Sequence, residues 1–190
     1  LQDKLAEDDV RILIRSTDTI VKQVVALKDM VEAFRNYARS PALRPVEQDL
    51  RQVVGEVLVL YESGNCQFQS DLGKMPLKVR IDTALMRQVL HNLFKNAAEA
   101  AESAEHPLVE VKAAIEGDSV SLCIANNGKS FSPSILATAF EPYITDKKNG
   151  TGLGLSVVKK IIDDHQGKIT IANQDAGGAV IRIILPHVEE

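Results

Sequence analysis

Residues 83–101 read TALMRQVLHNLFKNAAEAA, a run with neither Gly nor Pro. Leu90, Leu93, Phe94 and Ala97 recur at three- and four-residue steps, which predicts a helix with one apolar face. Asn92 and Asn96, four residues apart, fall together on one side of that helix. Amide oxygens are hard ligands suited to Mg²⁺, which keeps several waters and takes few protein groups. Taken alone, the two asparagines fit an ordinary surface equally well, and Lys95 and Glu99 beside them fit solvated charges.

Elements of both kinds alternate around this helix. Downstream, Leu108 to Ile115 and Ser119 to Ala125 read as strands, with Glu116-Gly117-Asp118 as the hairpin turn between them. Pro133 to Ala137 reads as a short helix and Gly152 to His165 as a longer one. Lys168 to Ala172 and Ala179 to Leu185 read as strands joined through Asp175-Ala176-Gly177-Gly178. Upstream, Val46 to Leu50 is short and extended, Arg51 to Tyr61 has helical spacing, and Cys66 to Ser70 and Leu77 to Ile81 look like strands. This order predicts an antiparallel-rich sheet with helices on one face, an α/β two-layer sandwich.

Residues 8–39 stand apart from this pattern. Val10, Leu13, Ile14, Ile20, Val21, Val24, Leu27, Val31, Phe34 and Ala38 make a single amphipathic helix of about eight or nine turns. Such a helix buries its stripe only against a partner, either a second chain or this chain's own globular part. The prolines in Ser40-Pro41-Ala42-Leu43-Arg44-Pro45 break it, which divides the chain into a helical part over 1–40 and a globular domain over 45–190. The net charge of −4 argues against nucleic acid as the main partner. Cys66 and Cys123 have no metal-ligand spacing, which fits a reducing compartment. No stretch approaches the roughly 20 apolar residues of a membrane helix. A start without Met inside a charged helical run predicts a piece of a longer protein.

Three further segments carry candidate chemistry. NGTGLGLS, residues 149–156, sets glycines at alternate positions before a helical run. Backbone can approach an anion closely there, and a helix start offers free N–H groups. The segment is neither a Walker loop nor a dinucleotide fingerprint. FEPYITDKK, residues 140–148, combines aromatics, the hydroxyl of Thr145 and two lysines in an irregular loop that could close over a ligand. NNGKSF, residues 126–131, ends a strand and reads as a turn.

In order and spacing, Asn92/Asn96, residues 126–131, Phe140 to Lys147 and Gly150 to Leu155 resemble the N, G1, F and G2 boxes of the GHKL ATP-binding superfamily. HNLFKNAAEA (91–100), FEPYITDK (140–147) and GTGLGLSVVKKII (150–162) look specifically like sensor histidine kinases, most like the nitrogen-regulation kinases of the NtrY type. The resemblance covers about residues 45–187. It extends to residues 8–39, which resemble the second helix of the dimerisation and histidine-phosphotransfer hairpin.

The resemblance implies a Bergerat ATP-binding fold, a mixed sheet under three helices. It implies ATP and Mg²⁺ as ligands, with Asn96 on the metal and Asn92 beside metal and phosphates. Lys95 and Lys147 become phosphate contacts, and Asn126, Gly128 and Ser130 line the adenine side. Tyr143 and Thr145 belong to a mobile lid spanning roughly Glu141 to Thr151. Gly150, Thr151, Gly152, Leu153, Gly154 and Leu155 wrap the triphosphate, and Gly178 matches the late glycine before the last strand. Catalysis falls to Asn92, Asn96 and Lys147. Related ATPases carry a glutamate base at the position of Asn92; a neutral amide there takes no proton from water, which favours transfer to a protein histidine over hydrolysis. The implied partners are a second copy through the N-terminal helix, a response regulator, and an acceptor-histidine helix absent from this chain. The implied setting is the cytoplasmic part of a sensor anchored in the membrane through other segments.

Two departures qualify this. The family's adenine-binding aspartate is Asn126 here, and a glycine of the same box is Ser130. Asn126 still accepts a hydrogen bond but brings no charge, so Asn126→Asp is expected to tighten adenine binding if the pocket is arranged as in the family. Ser130 is expected to stiffen or crowd the turn. None of His91, His106, His165 and His187 has the context of a phosphate acceptor; core or surface roles are expected for all of them. A weak or non-catalytic nucleotide-binding module is the alternative reading. A GHKL ATPase or a serine-directed anti-sigma kinase is the third.

Overall fold

The structure, a computed structural model, describes residues 7–38, 43–147 and 150–188. Helix α1 (Glu7–Ala38) leads. Strand β1 (Val46–Asp49), helix α2 (Leu50–Leu58) with a 3₁₀ turn at Val59–Tyr61, and strands β2 (Gln67–Asp71) and β3 (Lys78–Ile81) follow. Helix α3 (Thr83–Ala101), the hairpin β4 (Leu108–Glu116) and β5 (Ser119–Asn126), short α4 (Pro133–Thr138), α5 (Gly154–Asp164) and strands β6 (Lys168–Asn173) and β7 (Ala179–Pro186) complete the order. The main sheet runs β2-β4-β5-β7-β6. Only β2 and β4 are parallel, because β3 and α3 intervene between them and return the chain to the same end of the sheet. A separate ribbon pairs β1 with β3.

Period-two burial fixes which face of the sheet is covered. Register sets Val111 beside Ile124 and Ile124 beside Ile181, and likewise Ala113, Leu122 and Ile183 in one row. All six are buried, as are Val109, Val120, Ile169 and Leu185 on the same side. Helices α2, α3 and α5 supply the other half of this core. The expected three-helix layer on a mixed sheet is therefore the observed one. The outer face carries a polar contact across its strands: Arg182 Nε donates to Ser121 Oγ at 2.9 Å and its guanidinium pairs with Glu116.

Local chemistry explains the helix bounds. Asp82 caps α3, accepting from the N–H groups of Ala84 and Leu85, as a β-region Asp at an N-cap does. Its own N–H donates to His165 Nε2 at 2.8 Å, while His165 Nδ1 donates to the Ile161 carbonyl at 2.7 Å. One buried imidazole thus ties the end of α5 to the start of α3. Helix α5 begins two residues later than the sequence suggests, because Gly152 has φ +66° and sits outside the helical region. At the other end of the core, the rings of Tyr61, Phe68 and Phe94 meet at centroid distances of 5.1–5.8 Å.

Helix α1 is the outlier. Ile12, Ile20 and Val24 are each at least 60% exposed, so its apolar stripe is not folded onto the sandwich over these residues. It approaches α5 of the globular part. Residues 39–42, where the break is expected, lie outside the described residues.

Asp49 joins β1, α2 and the loop before β3. Its Oδ1 accepts from the Arg51 N–H and the Leu77 N–H, both at 3.1 Å, and the Arg51 guanidinium closes on the carboxylate at 2.6 Å. That guanidinium holds the Asp49 carboxyl below its ordinary value, against the opposing effect of burial. Because the folded value is depressed, the contribution is complete above the unfolded Asp value of about 3.9 and is lost as pH falls through the lower folded one. Asp49→Ala is expected to cost about 1–2 kcal/mol at neutral pH, as loss of a cap does. Urea unfolding at pH 7 and below pH 3 should show that difference shrinking with acid.

Candidate functional site

The site is assembled on the flank of α3. The inner stripe of the helix, Met86, Val89, Leu90, Leu93, Phe94, Ala97 and Ala101, is buried, which leaves Asn92 and Asn96 half-buried at the rim. Across from them stands the first turn of α5. A methyl group on Gly154 would lie 3.9 Å from Asn92 Oδ1 and 3.9 Å from Asn96 Nδ2. No side-chain cap hydrogen bond is made at that turn among the described residues, which leaves its leading N–H groups with a partial positive charge. A helix start of this kind suits an anion, and here it is faced by the amide oxygen of Asn92 and the amide nitrogen of Asn96.

Lys147 closes the third side. Its Nζ donates to Asn96 Oδ1 at 2.8 Å and to Glu99 Oε2 at 2.5 Å. Lys95 is exposed, one residue and about 100° of helix from Asn96, and makes no hydrogen bond or ion pair among the described residues. Tyr143 is exposed with φ +67°, and its N–H donates to the Gly152 carbonyl at 2.9 Å. Thr145 Oγ1 accepts from the Lys147 N–H at 3.1 Å, and Thr151 Oγ1 from the Leu153 N–H at 3.4 Å. Leu153 is buried and Leu155 packs against the core, so only their backbones are available to a ligand.

The glycines divide by role. A methyl group on Gly152 would stand 2.4 Å from the Tyr143 backbone, and one on Gly150 would stand 2.5 Å from Thr145 Oγ1. Both face their own loop; of the three expected to wrap a ligand, Gly154 is the one that faces the asparagines. Gly128 is a wedge: a methyl there would lie 2.0 Å from the Ala100 carbonyl oxygen, and the Lys129 N–H donates to that same oxygen at 2.9 Å. The turn after β5 is thereby pressed onto the end of α3, which any larger residue would prevent.

Asn126 ends β5 inside this turn and is 6% exposed. In the amide orientation that satisfies both ends, Nδ2 donates to the Ala179 carbonyl at 3.3 Å and Oδ1 accepts from the Gly128 N–H at 3.1 Å. Ser130 does not crowd the turn. Its hydroxyl donates to the Gly178 carbonyl at 3.0 Å and accepts from the Gly178 N–H at 3.1 Å, so it buttons the turn to the start of β7. Sequence reasoning passed over three supporting residues. Glu99 holds Lys147; Gln174 Nε2 donates to the Asn126 carbonyl at 2.9 Å; Asn173 exchanges two 2.8 Å bonds with the Phe131 backbone. Only Glu99 had a readable signal, its three-residue spacing from Asn96. The histidines have structural surroundings: His91 Nδ1 lies 3.0 Å from the Tyr61 hydroxyl, and His165 is buried as described above.

A mixed sheet under three helices, with paired asparagines facing an uncapped helix start, defines a class of nucleotide-binding sandwich. The chain belongs to the family of histidine kinase-, DNA gyrase B- and HSP90-like ATPases, whose profile matches residues 81–189. Nitrogen regulation protein NtrY of Azorhizobium caulinodans is 33% identical over 184 residues, 93% of this chain and 24% of that protein. The nucleotide-free catalytic domain of histidine kinase ThkA is 32% identical with a TM-score of 0.68, over 76% of this chain and 96% of that one. ThkA in complex with the response regulator protein TrrA superposes on 99% of this chain and 53% of that one, with a TM-score of 0.77 and 26% identity. The chain spans less than a third of the curated relatives it matches.

An aspartate at position 126 would set a carboxylate oxygen 3.3 Å from the Ala179 carbonyl, replacing a donor with a repelled acceptor. The local geometry thus favours the amide over the charge that sequence comparison suggested. Asn126→Asp is expected to destabilise the ligand-free chain by about 1–3 kcal/mol, as an unsatisfied buried group does. Thermal unfolding checks this; an unchanged or raised midpoint would show that the turn accommodates the carboxylate.

Proposed function

We propose that this chain binds ATP with Mg²⁺ and donates the γ-phosphoryl group to a histidine elsewhere in a longer sensor kinase, from which a response regulator collects it. The observation that carries the proposal is the facing of Asn92 and Asn96 by the uncapped first turn of α5, with Gly154 at its head. The N–H groups of that turn suit the phosphates. Asn96 Oδ1 already accepts from an ammonium beside a carboxylate, and such an oxygen environment fits a hard divalent cation. Mg²⁺ held by Asn96 would supply neutralisation of phosphate charge.

The chain's own groups do the rest. Asn92 has no proton to take or give at neutral pH, so it orients and does not activate water. Lys147 sits within reach of the phosphates and balances their charge. Asn126, with one hydrogen and one lone pair left after its internal bonds, reads the edge of the base. Catalysis is then positioning plus electrostatics, as phosphoryl transfer requires. The exposed apolar stripe of α1 is the surface for dimerisation with a second copy. The resemblance to NtrY supports a role in nitrogen control, and the ThkA–TrrA complex supports a response regulator as partner.

Two outcomes follow. Supplied with the histidine-bearing hairpin of the parent protein, the chain is expected to move radiolabel from [γ-³²P]ATP to that histidine faster than it releases free phosphate; release alone would make it an ATPase. Asn96→Ala is expected to weaken Mg²⁺-dependent nucleotide binding by roughly tenfold or more, with folding stability changed by less than about 0.5 kcal/mol. Calorimetry and thermal unfolding of the same preparation check both halves.

A further inference from the structure

Asp146 and Lys147 are chain neighbours of opposite charge that reach in opposite directions. Asp146 Oδ2 accepts from Lys129 Nζ at 3.0 Å, on the turn that follows β5. Lys147 Nζ donates to Glu99 Oε2 at 2.5 Å and Asn96 Oδ1 at 2.8 Å, on α3. The Lys129 turn is itself fastened to α3 through the Ala100 carbonyl. Residues 145–147 therefore lie as a strap between the two walls of the cleft, held at both edges by ion pairs. The strap is shaped locally by the bond from the Lys147 N–H to Thr145 Oγ1 at 3.1 Å.

The position of the ammonium matters more than the pair itself. Lys147 and Glu99 are 41% and 39% exposed, and an isolated pair of that kind contributes little. Here the same ammonium also occupies Asn96 Oδ1, the oxygen assigned above to the metal. An ammonium and a magnesium ion repel each other and cannot share that oxygen at bonding distance. We infer that Glu99 is a positioning residue: in the ligand-free chain its carboxylate parks Lys147 on Asn96, so a lysine holds the cation site until the metal–nucleotide complex displaces it. This rests on the assignment of Asn96 and Lys147 made above. When displaced, Lys147 turns from a carboxylate toward phosphates, so its charge stays paired throughout.

The inference makes Glu99 a brake on metal-nucleotide binding, which neither an ordinary surface pair nor a metal ligand would be. Glu99→Gln keeps the shape of the side chain and removes its charge. In the nucleotide-free chain, ¹⁵N relaxation is expected to show greater mobility of the amides of residues 145–147 in this variant, with those of α3 unchanged. Calorimetry is expected to show Mg²⁺·ADP binding about two- to fivefold tighter than in the wild-type chain, the scale set by an exposed ion pair, with a smaller change for ADP in EDTA. Unchanged mobility overturns the parking whatever the nucleotide does. Unchanged Mg²⁺·ADP affinity overturns the brake, and weaker affinity assigns the carboxylate to the metal instead. If neither protein binds nucleotide, the assignment of Asn96 fails, while the relaxation data still decide whether Glu99 holds the strap.

Discussion

Helix α3 constrains everything else in the site, because one helix surface serves the core and the cleft at once. Its buried stripe from Met86 to Ala101 is locked between the sheet and the neighbouring helices. Close-packed side chains leave such a helix no room to slide or roll. Asn92, Asn96 and Glu99 on its flank therefore have fixed directions. The turn after β5 is pressed on its C-terminal end through Gly128, and the start of α5 faces its middle through Gly154. The turn after β5, the asparagine pair and the start of α5 are thus all positioned from one rigid rod. The strap at residues 145–147 is tied to both walls of this constellation through exposed charged groups and through the bond from Lys147 to Asn96.

The chemistry of the cleft is that of neutral amides. Asn92, Asn96 and Asn126 contribute dipoles, and the formal charges come from Lys147, Glu99 and the strap. Neutral amides donate and accept hydrogen bonds without supplying a general base, which is why the proposed reading is phosphoryl transfer and not hydrolysis. Asn126 illustrates how far the pocket is adapted to this. Its two amide ends are matched to one carbonyl and one N–H, a pairing a carboxylate cannot reproduce. Ser130 in the same turn bonds both ends of the Gly178 peptide. The two departures from the family pattern are therefore each integrated into the local hydrogen-bonding, one on β5 and one against β7.

Much of the fold was legible because local signals were unopposed. Asp82 caps a glycine-free run, so α3 has the bounds its sequence suggests; alternation in β4, β5 and β7 gives their buried face directly. The start of α5 was misplaced because a positive φ at Gly152 is set by packing against Tyr143, 9 residues earlier, not by helix propensity. In the site, the asparagine pair and the Gly-rich helix start were readable as spacings. Glu99 was legible only in part: its three-residue spacing from Asn96 put it on the same flank, but its partner Lys147 lies 48 residues on. Gly150 and Gly152 read as phosphate-wrapping residues, and in the structure a side chain at either would also collide with its own loop. Lys95, a phosphate contact by resemblance, is exposed in the structure.

The account stands or falls on whether this cleft takes a metal-bound nucleotide. The direct measurement is calorimetric titration of the chain with ATP and with ADP, each in Mg²⁺ and in EDTA. Saturable binding that strengthens when Mg²⁺ is present is the predicted result, because the phosphates then meet both the α5 N–H groups and a cation on Asn96. Absence of binding at millimolar nucleotide, or binding indifferent to Mg²⁺, would contradict the assignment of the asparagine face and leave a sandwich of this family without its nucleotide chemistry.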